Sequence, residues 1–327
     1  MSSNLCPKPN FHYDLRQVCP LGEVLDQGNQ ATCWAVATAH CGDIMERVAR
    51  ARSGCIVREQ DLIYHSPQEI INHYHVRNIN GVHNGFYNKE AFGYMLKYGV
   101  PSRAVCPYRG VLTREEAAIR HYCSPRYCPF IRFYHFNSRD YIWREVFFWE
   151  RVIQFTAQGP LVMAFLVGKA FSQWRSWDIY SATDEFKWRK TRARTSNGRA
   201  MQCRRERETR SICVINGIYY WTYPKNNVVF HAMVVIGLGE EDGRPYWVVK
   251  NSYGPTWGRD GYARISRTPE NNQIQLGNIS VPKLANHPYA DFLSNFATPR
   301  LLMGNAVTSQ RKRKLDAVPV DSQWKRG

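Results

Sequence analysis

Three side chains of this sequence have the types and the order needed for covalent hydrolysis, namely Cys33, His231 and Asn251. A cysteine thiolate attacks a carbonyl carbon, an imidazole carries the proton, and a third group orients the imidazole. Cysteine, histidine and asparagine in this chain order are the parts of a cysteine hydrolase. The sequence therefore predicts nucleophilic catalysis by Cys33, and the surrounding elements must bring the three residues together.

Cys33 stands at the start of a predicted helix that runs to about Arg52. Apolar residues follow it at helical spacing: Ala37, Cys41, Ile44, Met45 and Val48. Free backbone N–H groups and the positive end of the helix dipole meet the sulfur there. We expect this placement to lower the pKa of the thiol.

His231 and Asn251 stand on predicted strands. Residues 229–237 read as a buried strand that carries one histidine, and residues 246–258 read as a strand that runs into a glycine-rich turn. Asn251 lies at the mouth of that turn.

These three segments resemble the papain family, the C1 cysteine peptidases that include the cathepsins. Further motifs of that family occur at Asp14-Leu15-Arg16, Ser66-Pro67-Gln68-Glu69, Asn84-Gly85, Ala91-Phe92, Cys106-Pro107-Tyr108, Gly159-Pro160-Leu161-Val162 and Gly261-Tyr262-Ala263-Arg264-Ile265. The resemblance covers residues 9 to about 172 and 215 to about 280. It implies an α+β, two-lobed papain-like fold, with a helical lobe, an antiparallel β-barrel-like lobe and the active-site cleft between them.

The resemblance also implies a role for each catalytic residue. Cys33 would be the nucleophile, His231 its proton carrier and Asn251 the residue that orients the imidazole. Gln27 would donate its side-chain N–H to the oxyanion hole, together with the Cys33 backbone N–H. This chemistry needs no cofactor, and we expect neither a cofactor nor a metal ion.

Substrate contacts are implied at both walls of the cleft. Substrate backbone would pair with Asn84 and Gly85, while Phe86 and Tyr253 replace the usual glycine and tryptophan of the family. Trp257 keeps the family's second tryptophan and is included among the substrate-binding residues. The remaining implied substrate-binding positions are Tyr87, Asn88, Ala164, Ala232 and Trp257.

Other predicted elements follow from capping and period. Ser66 begins a second helix through a capping box, Asn88 caps a third that ends at Gly99, and Thr113 begins a fourth. A further helix covers about 141–155. Strands are predicted at 161–167, 228–238, 245–250 and 262–265.

The domain assignment is a peptidase domain over 1–282 and a basic extension over 283–327. An insertion at about 176–213 separates motifs that are neighbours in the family, and its composition is typical of a mobile loop. No signal peptide or propeptide is visible before the first family motif. We therefore expect an intracellular protein, in the cytoplasm, the nucleus or both.

Cysteine positions favour a reducing compartment, because Gln30, His83 and His73 stand where the family has half-cystines. Bridges or a metal site between Cys6 and Cys19, or between Cys123 and Cys128, stay open as alternatives. Four histidines close in sequence are interpreted as surface residues on and after a helix: His65, His73, His75 and His83.

The formal net charge is +17 and belongs mainly to the appendages. Residues 183–213 hold ten Lys or Arg against four Asp or Glu, and 283–327 hold eight against three. The insertion is a candidate nucleic-acid surface, and 310–316 resembles a nuclear localisation signal that would bind importin. No apolar run is long enough to cross a bilayer, so we expect no membrane partner.

Three functional readings remain at this point. The first is a cysteine endopeptidase that acts on protein or peptide substrates. The second is an intracellular aminopeptidase like bleomycin hydrolase. The third is a nucleic-acid- or virion-associated protein that keeps a peptidase scaffold, as the basic insertion and tail suggest.

Overall fold

The computed structural model describes residues 11–75, 87–110, 126–137, 145–181, 188–190, 211–215, 218–222, 229–267 and 276–284. Predicted features that lie outside these residues are the Thr113 helix, the Asn84-Gly85 segment, most of the basic insertion, and the basic tail beyond Leu284. Among the described residues, no helix has both the length and the apolar character needed to cross a membrane.

The helices are α1 (Cys33–Arg52), α2 (Pro67–His75), α3 (Asn88–Tyr98), α4 (Glu145–Gln158) and α5 (Lys169–Ser172), with 3₁₀ turns at Leu15–Gln17 and Glu59–Asp61. The predicted bounds of α1 are confirmed. Its apolar side chains are buried in the main core cluster together with residues of α2, α3 and the sheet. The helix packs against α2, α3 and the strand that carries His231.

The capping predictions are partly confirmed. Ser66 Oγ accepts a hydrogen bond from the Glu69 N–H at 3.2 Å, as in a capping box, but the Glu69 carboxylate bonds to Tyr94 and Arg126 instead of reaching back. The prediction for α3 is wrong at its start, because Tyr87 is the N-cap and Asn88 is already helical. Gly99 ends the helix at φ +64°, a conformation that favours glycine.

The strands are β1 (Phe11–Asp14), β2 (Phe130–Asn137), β3 (Leu161–Val167), β4 (Ile179–Tyr180), β5 (Trp188–Lys190), β6 (Ser211–Ile215), β7 (Ile218–Thr222), β8 (Val229–Glu241), β9 (Arg244–Lys250), β10 (Tyr262–Ser266) and β11 (Leu276–Leu284). Eight of them form one sheet in the order β2-β11-β3-β8-β9-β10-β4, and β1 pairs with β8. All pairs are antiparallel except β4 with β10. The helices α1, α2 and α3 come before most of the strands in the sequence, and the strands form a mostly antiparallel sheet. This arrangement confirms the α+β class.

The pairing of β2 with β11 in the main sheet was not predicted. β2 and β11 pair with each other over their length, and β11 joins β2 to β3. Pro282 lies inside β11 opposite Phe133. A proline argues against a strand when the sequence is considered alone, so the pairing could not be seen there.

The prediction that the insertion is a loop throughout is wrong at its described ends. β4 joins the main sheet beside β10, while β5, β7 and β6 form a separate three-stranded sheet. Strand formation here depends on pairing between the strands, which an arginine-rich composition does not indicate.

The surface assignment of the histidines is wrong at His65, which is 3% exposed. Its Nδ1 lies 2.5 Å from Asp43 Oδ1, and its backbone N–H donates to the same oxygen at 2.9 Å. Of the cysteines discussed as bridge or metal partners, Cys19 is buried and carries a free thiol.

Candidate active site

Cys33 is the first residue of α1, as predicted. The helix begins with the Ala35 and Val36 N–H groups donating to the Thr32 carbonyl. The Thr32 hydroxyl makes no cap and instead lies 3.0 Å from the Tyr108 hydroxyl. Tyr108 therefore anchors the turn from which the nucleophile projects.

The expected low pKa of Cys33 is not found. Burial raises the pKa of the thiol above its usual range, and the backbone N–H groups of Ala232, Trp34 and Cys33 itself only partly offset that effect. The helix terminus stabilises a thiolate, as expected, but removal of the sulfur from water costs more. Ala232 in this set places the sulfur beside β8.

His231 is held by Asn251. Its Nε2 lies 2.6 Å from Asn251 Oδ1, and the Ser252 N–H donates to that same oxygen at 2.7 Å. An amide oxygen can only accept, so Nε2 must carry the proton in this bond. The tautomer leaves Nδ1 as the basic nitrogen of the neutral ring.

The surroundings of His231 keep it neutral. Burial lowers the pKa of the imidazole to about 4, although the Asn251 bond acts in the opposite direction. The Tyr253 ring stacks on the imidazole, with centroids 4.4 Å apart and planes at 24°. Burial, followed by the charge of Cys33, raises the pKa of the Tyr253 phenol, so this ring borders both the sulfur and the imidazole.

Gln27 is fixed at three atoms. Its backbone N–H donates to Ser252 O at 2.8 Å, its Oε1 accepts from Ser252 Oγ at 2.6 Å, and its Nε2 donates to Gln30 O at 2.5 Å. An amide nitrogen carries two N–H groups, so one donor remains besides the Gln30 bond. These bonds fix which end of the Gln27 amide carries the donor.

The predicted substrate-binding residues are only partly brought together. Ala164 and Ala232 are direct cross-strand partners on β3 and β8. Tyr87 and Asn88 lie at the start of α3, where Tyr87 is exposed and Asn88 is buried, and among the described residues they show no hydrogen bond or ring contact to the alanine pair. Asn84 and Gly85 lie outside the described residues.

Trp257 supports the site from behind. The side chain is buried, its indole N–H donates to Phe171 O at 2.8 Å, and its ring meets Tyr253 edge to face at 5.8 Å. Trp257 thus holds the tyrosine that covers His231.

Sequence reasoning missed Ser252, which bonds to both Gln27 and Asn251. The signal that could have found it was its place next to Asn251, with a hydroxyl in a buried segment. Lys250, on the other side of Asn251, was also passed over.

The chain matches a known protein family. The model of the papain family cysteine proteases matches residues 9–281. A cathepsin B-like protein CP1 of Giardia intestinalis is 49% identical over 53 residues, which are 16% of this chain and 18% of the relative. Mouse cathepsin K is 39% identical over 69 residues, 21% of each chain. The matched segments thus span about a fifth of the length of these curated relatives.

Solved structures agree on the fold. A structure from a study of the mite allergens Blo t 1 and Der p 1 has a TM-score of 0.54 at 20% identity, over 86% of this chain and 73% of the other. The bromelain protease of Ananas comosus, in complex with E64, has a TM-score of 0.51 at 17% identity, over 84% and 99%. At these identities the likeness shows the two-lobed papain-like fold alone.

Proposed function

Since this chain belongs to the papain family of cysteine proteases, we propose that it is a cysteine endopeptidase. The observation that carries the proposal is the 2.6 Å bond from His231 to Asn251, which fixes the imidazole tautomer on a strand whose next residue, Ala232, faces the Cys33 sulfur. A neutral imidazole with a basic Nδ1 is the group that an adjacent thiol needs as its base.

The reaction begins with proton transfer from the Cys33 thiol to His231 Nδ1. The thiolate attacks the peptide carbonyl carbon, and the oxyanion takes hydrogen bonds from Gln27 Nε2 and the Cys33 backbone N–H. His231 then returns its proton to the leaving amine as the C–N bond breaks, which leaves a thioester on Cys33. Water, deprotonated by His231, hydrolyses that thioester and restores the thiol.

The charged pair must be formed by mutual stabilisation. Burial favours the neutral form of both Cys33 and His231 when each is considered alone. A thiolate and an imidazolium in contact at a buried site attract strongly, and this attraction offsets the loss of hydration. Loss of either partner should therefore leave the other uncharged.

An epoxide inhibitor of the papain family tests the proposal. We expect it to alkylate Cys33 in the wild-type protein and not in His231→Ala, which lacks the base. Mass spectrometry of peptides released from a denatured proteome should then show internal cleavage sites. An active protein that removes only N-terminal residues would favour the aminopeptidase instead, and a protein that is neither labelled nor active would favour the scaffold reading.

The proposed partners of the active site are protein or peptide substrates. Binding of nucleic acid by the basic insertion is a second candidate function. Its support is the excess of Lys and Arg over residues 183–213. Binding through phosphates weakens by roughly 10³–10⁵ between 50 and 200 mM salt when six to ten phosphates are engaged. Deletion of 187–210 should remove salt-sensitive retention of DNA or RNA and leave cleavage of a small peptide intact. If the deletion abolishes cleavage, the insertion belongs to the cleft.

We also propose an intracellular location, with the tail as a nuclear signal recognised by importin. The support is the run of basic residues at 311–314, followed by Lys325 and Arg326. A fluorescent fusion without residues 310–327 should lose nuclear accumulation. Unchanged localisation of the truncated fusion would remove the tail from the proposal.

A further inference from the structure

The segment from Leu21 to Gln27 runs beside the loop that contains Asn251. The Gln27 N–H donates to Ser252 O at 2.8 Å, and the Gly254 N–H donates to Leu25 O at 3.1 Å. Between these bonds, the backbones of Asp26 and Tyr253 pair as an isolated antiparallel β-bridge. We call residues 21–27 the strap. Its far end carries the proposed oxyanion donor, so its register against the Asn251 loop decides where the Gln27 amide lies.

The near end of the strap is held by Lys250. The Lys250 ammonium donates to Leu21 O at 2.8 Å and to Gly22 O at 2.9 Å. Lys250 is only 2% exposed, and a lysine is rarely buried this fully unless its ammonium is paired. The two carbonyls it reaches are not used by a helix or by a strand of the sheet.

A second cation reaches the same carbonyl from the helical side. Arg47, on α1, donates from Nη1 to Leu21 O at 2.7 Å and from Nη2 to Ile63 O at 3.0 Å. One backbone oxygen of the strap thus joins β9, which ends at Lys250 just before Asn251, to α1, which begins at Cys33. The strap is fixed relative to both catalytic elements at one point.

The backbone at Gly22 in the strap leaves no room for a side chain. Gly22 has φ +71°, and a Cβ there would lie 2.6 Å from Arg47 Nη1 and 2.7 Å from the Tyr64 ring. Only glycine adopts this conformation without displacing the Arg47 guanidinium or the Tyr64 ring. The position of the carbonyls is therefore set by the residues around them.

The charges that face Lys250 come from three elements. Arg47, Asp43 and the buried His40 lie on α1, Glu23 belongs to the strap itself, and Arg103 comes from the segment after α3 and forms an ion pair with Glu23. Burial, assisted by Arg47, lowers the pKa of Lys250 to about 7. A neutral amine still has two N–H groups, so it can serve both carbonyls on either side of that pH.

We propose that Lys250 is a positioning residue for the oxyanion hole, which it sets by fixing the register of the strap and hence the place of the Gln27 amide. This role rests on the proposed function. Lys250 touches neither the sulfur nor the imidazole, so its contribution should pass through Gln27. A residue that acts only through another gives effects that are not additive with removal of that other residue.

The test compares wild type, Lys250→Met, Gln27→Ala and the double variant on one peptide substrate, with active sites counted by epoxide titration. Methionine keeps most of the length and the unbranched apolar stem of lysine and removes the donors. We expect Lys250→Met to lower kcat about 10-fold or more, and Gln27→Ala by about 10²–10³-fold, with KM nearly unchanged in both. In the Gln27→Ala background, Lys250→Met should change kcat by less than about twofold.

Arg126→Met is the matched control, because it also removes a largely buried, hydrogen-bonded cation, here from Glu69, without contact to the strap. It should lower stability and leave kcat unchanged. Full additivity of Lys250→Met with Gln27→Ala, or an unchanged kcat in Lys250→Met, would overturn the positioning role. Should Lys250→Met fail to fold, Gly22→Ala displaces the same carbonyls and must show the same loss of kcat and the same non-additivity. Absence of peptidase activity in the wild-type protein would instead contradict the proposed function.

Discussion

Ser252 Oγ donates a hydrogen bond to Gln27 Oε1 at 2.6 Å, and both side chains are buried. The bond crosses from the loop of the sheet that follows Asn251 to the segment that leads into α1. One hydroxyl thus orients the amide of the proposed oxyanion hole, while the backbone N–H of the same residue orients the Asn251 amide.

Ser252→Ala should therefore weaken catalysis without loss of the fold. The Gln27 amide would lose the partner of its oxygen and could rotate away from the substrate carbonyl. We expect kcat to fall about fivefold, since one hydrogen bond is worth about 1 kcal/mol net. Ser172→Ala, which removes an exposed hydroxyl bonded to Lys169 O, is the control and should keep the wild-type kcat. Equal kcat values in the two variants would contradict the role of Ser252.

Substitution of the proposed catalytic residues should separate chemistry from folding. Cys33→Ala and His231→Ala should abolish peptide hydrolysis, because the first lacks the nucleophile and the second lacks the base. Gln27→Ala should keep a residual rate about 10²–10³ below wild type. Circular dichroism should show the wild-type fold in all three. Wild-type rates in Cys33→Ala would show that the mechanism is wrong.

Local pattern was enough to predict the elements that carry the site. Apolar residues at helical spacing gave α1 from Cys33 to Arg52, and continuous apolar runs gave β3, β8 and β9 close to their observed bounds. Residue types and chain order indicated Cys33, His231 and Asn251, while Gln27 and the role of each residue came from the resemblance. The His231–Asn251 bond has the geometry that the roles of those two residues require.

What could not be predicted depends on tertiary contacts. The Cys33 pKa is decided by burial against β8, which no local pattern contains. Lys250 reaches Leu21 across 229 positions of sequence, so nothing near either residue indicates the contact. His65 was interpreted as exposed because its partner Asp43 lies on α1, 22 positions away in the sequence.

The Tyr253 ring should protect the His231–Asn251 bond from water. Tyr253→Ala would expose that bond, and competition by water should lower kcat/KM about tenfold. Tyr253→Phe keeps the stacked ring and should retain most of the wild-type rate. Tyr253→Trp restores the residue usual in the family and should equal or exceed wild type. If the alanine and phenylalanine variants have the same kcat/KM, stacking is not the protective feature.

Reducing agent should leave the fold stable. Among the cysteines whose side chains the structure describes, no disulfide joins any two of Cys19, Cys33, Cys41, Cys55, Cys106 and Cys128. Stability then comes from the apolar core rather than from bridges, and millimolar dithiothreitol should not change Tm. The measurement is a thermal scan with and without the reductant. A fall of several degrees would show a bridge formed by the remaining cysteines.

Lys250 should make the free energy of unfolding depend on pH in a definite direction. Its pKa is about 7 in the folded protein, against an ordinary 10.5, because burial disfavours the charged amine. Between these values the unfolded chain holds the proton and the folded chain has released it, so unfolding takes up a proton and is opposed more strongly as pH rises. Below pH 7 the full cost of burying the charge is present.

The free energy of unfolding of wild type should therefore rise relative to that of Lys250→Met as pH increases from 7 to 9. Tyrosine phenols and cysteine thiols also titrate in the alkaline part of this range, but both proteins contain them, so their contributions cancel in the difference. Urea unfolding at pH 7, 8 and 9 gives that difference directly. In Arg126→Met the difference from wild type should stay constant over the same range, because an arginine keeps its proton throughout. A constant difference for Lys250→Met as well would mean that the buried amine stays protonated in the folded protein up to pH 9.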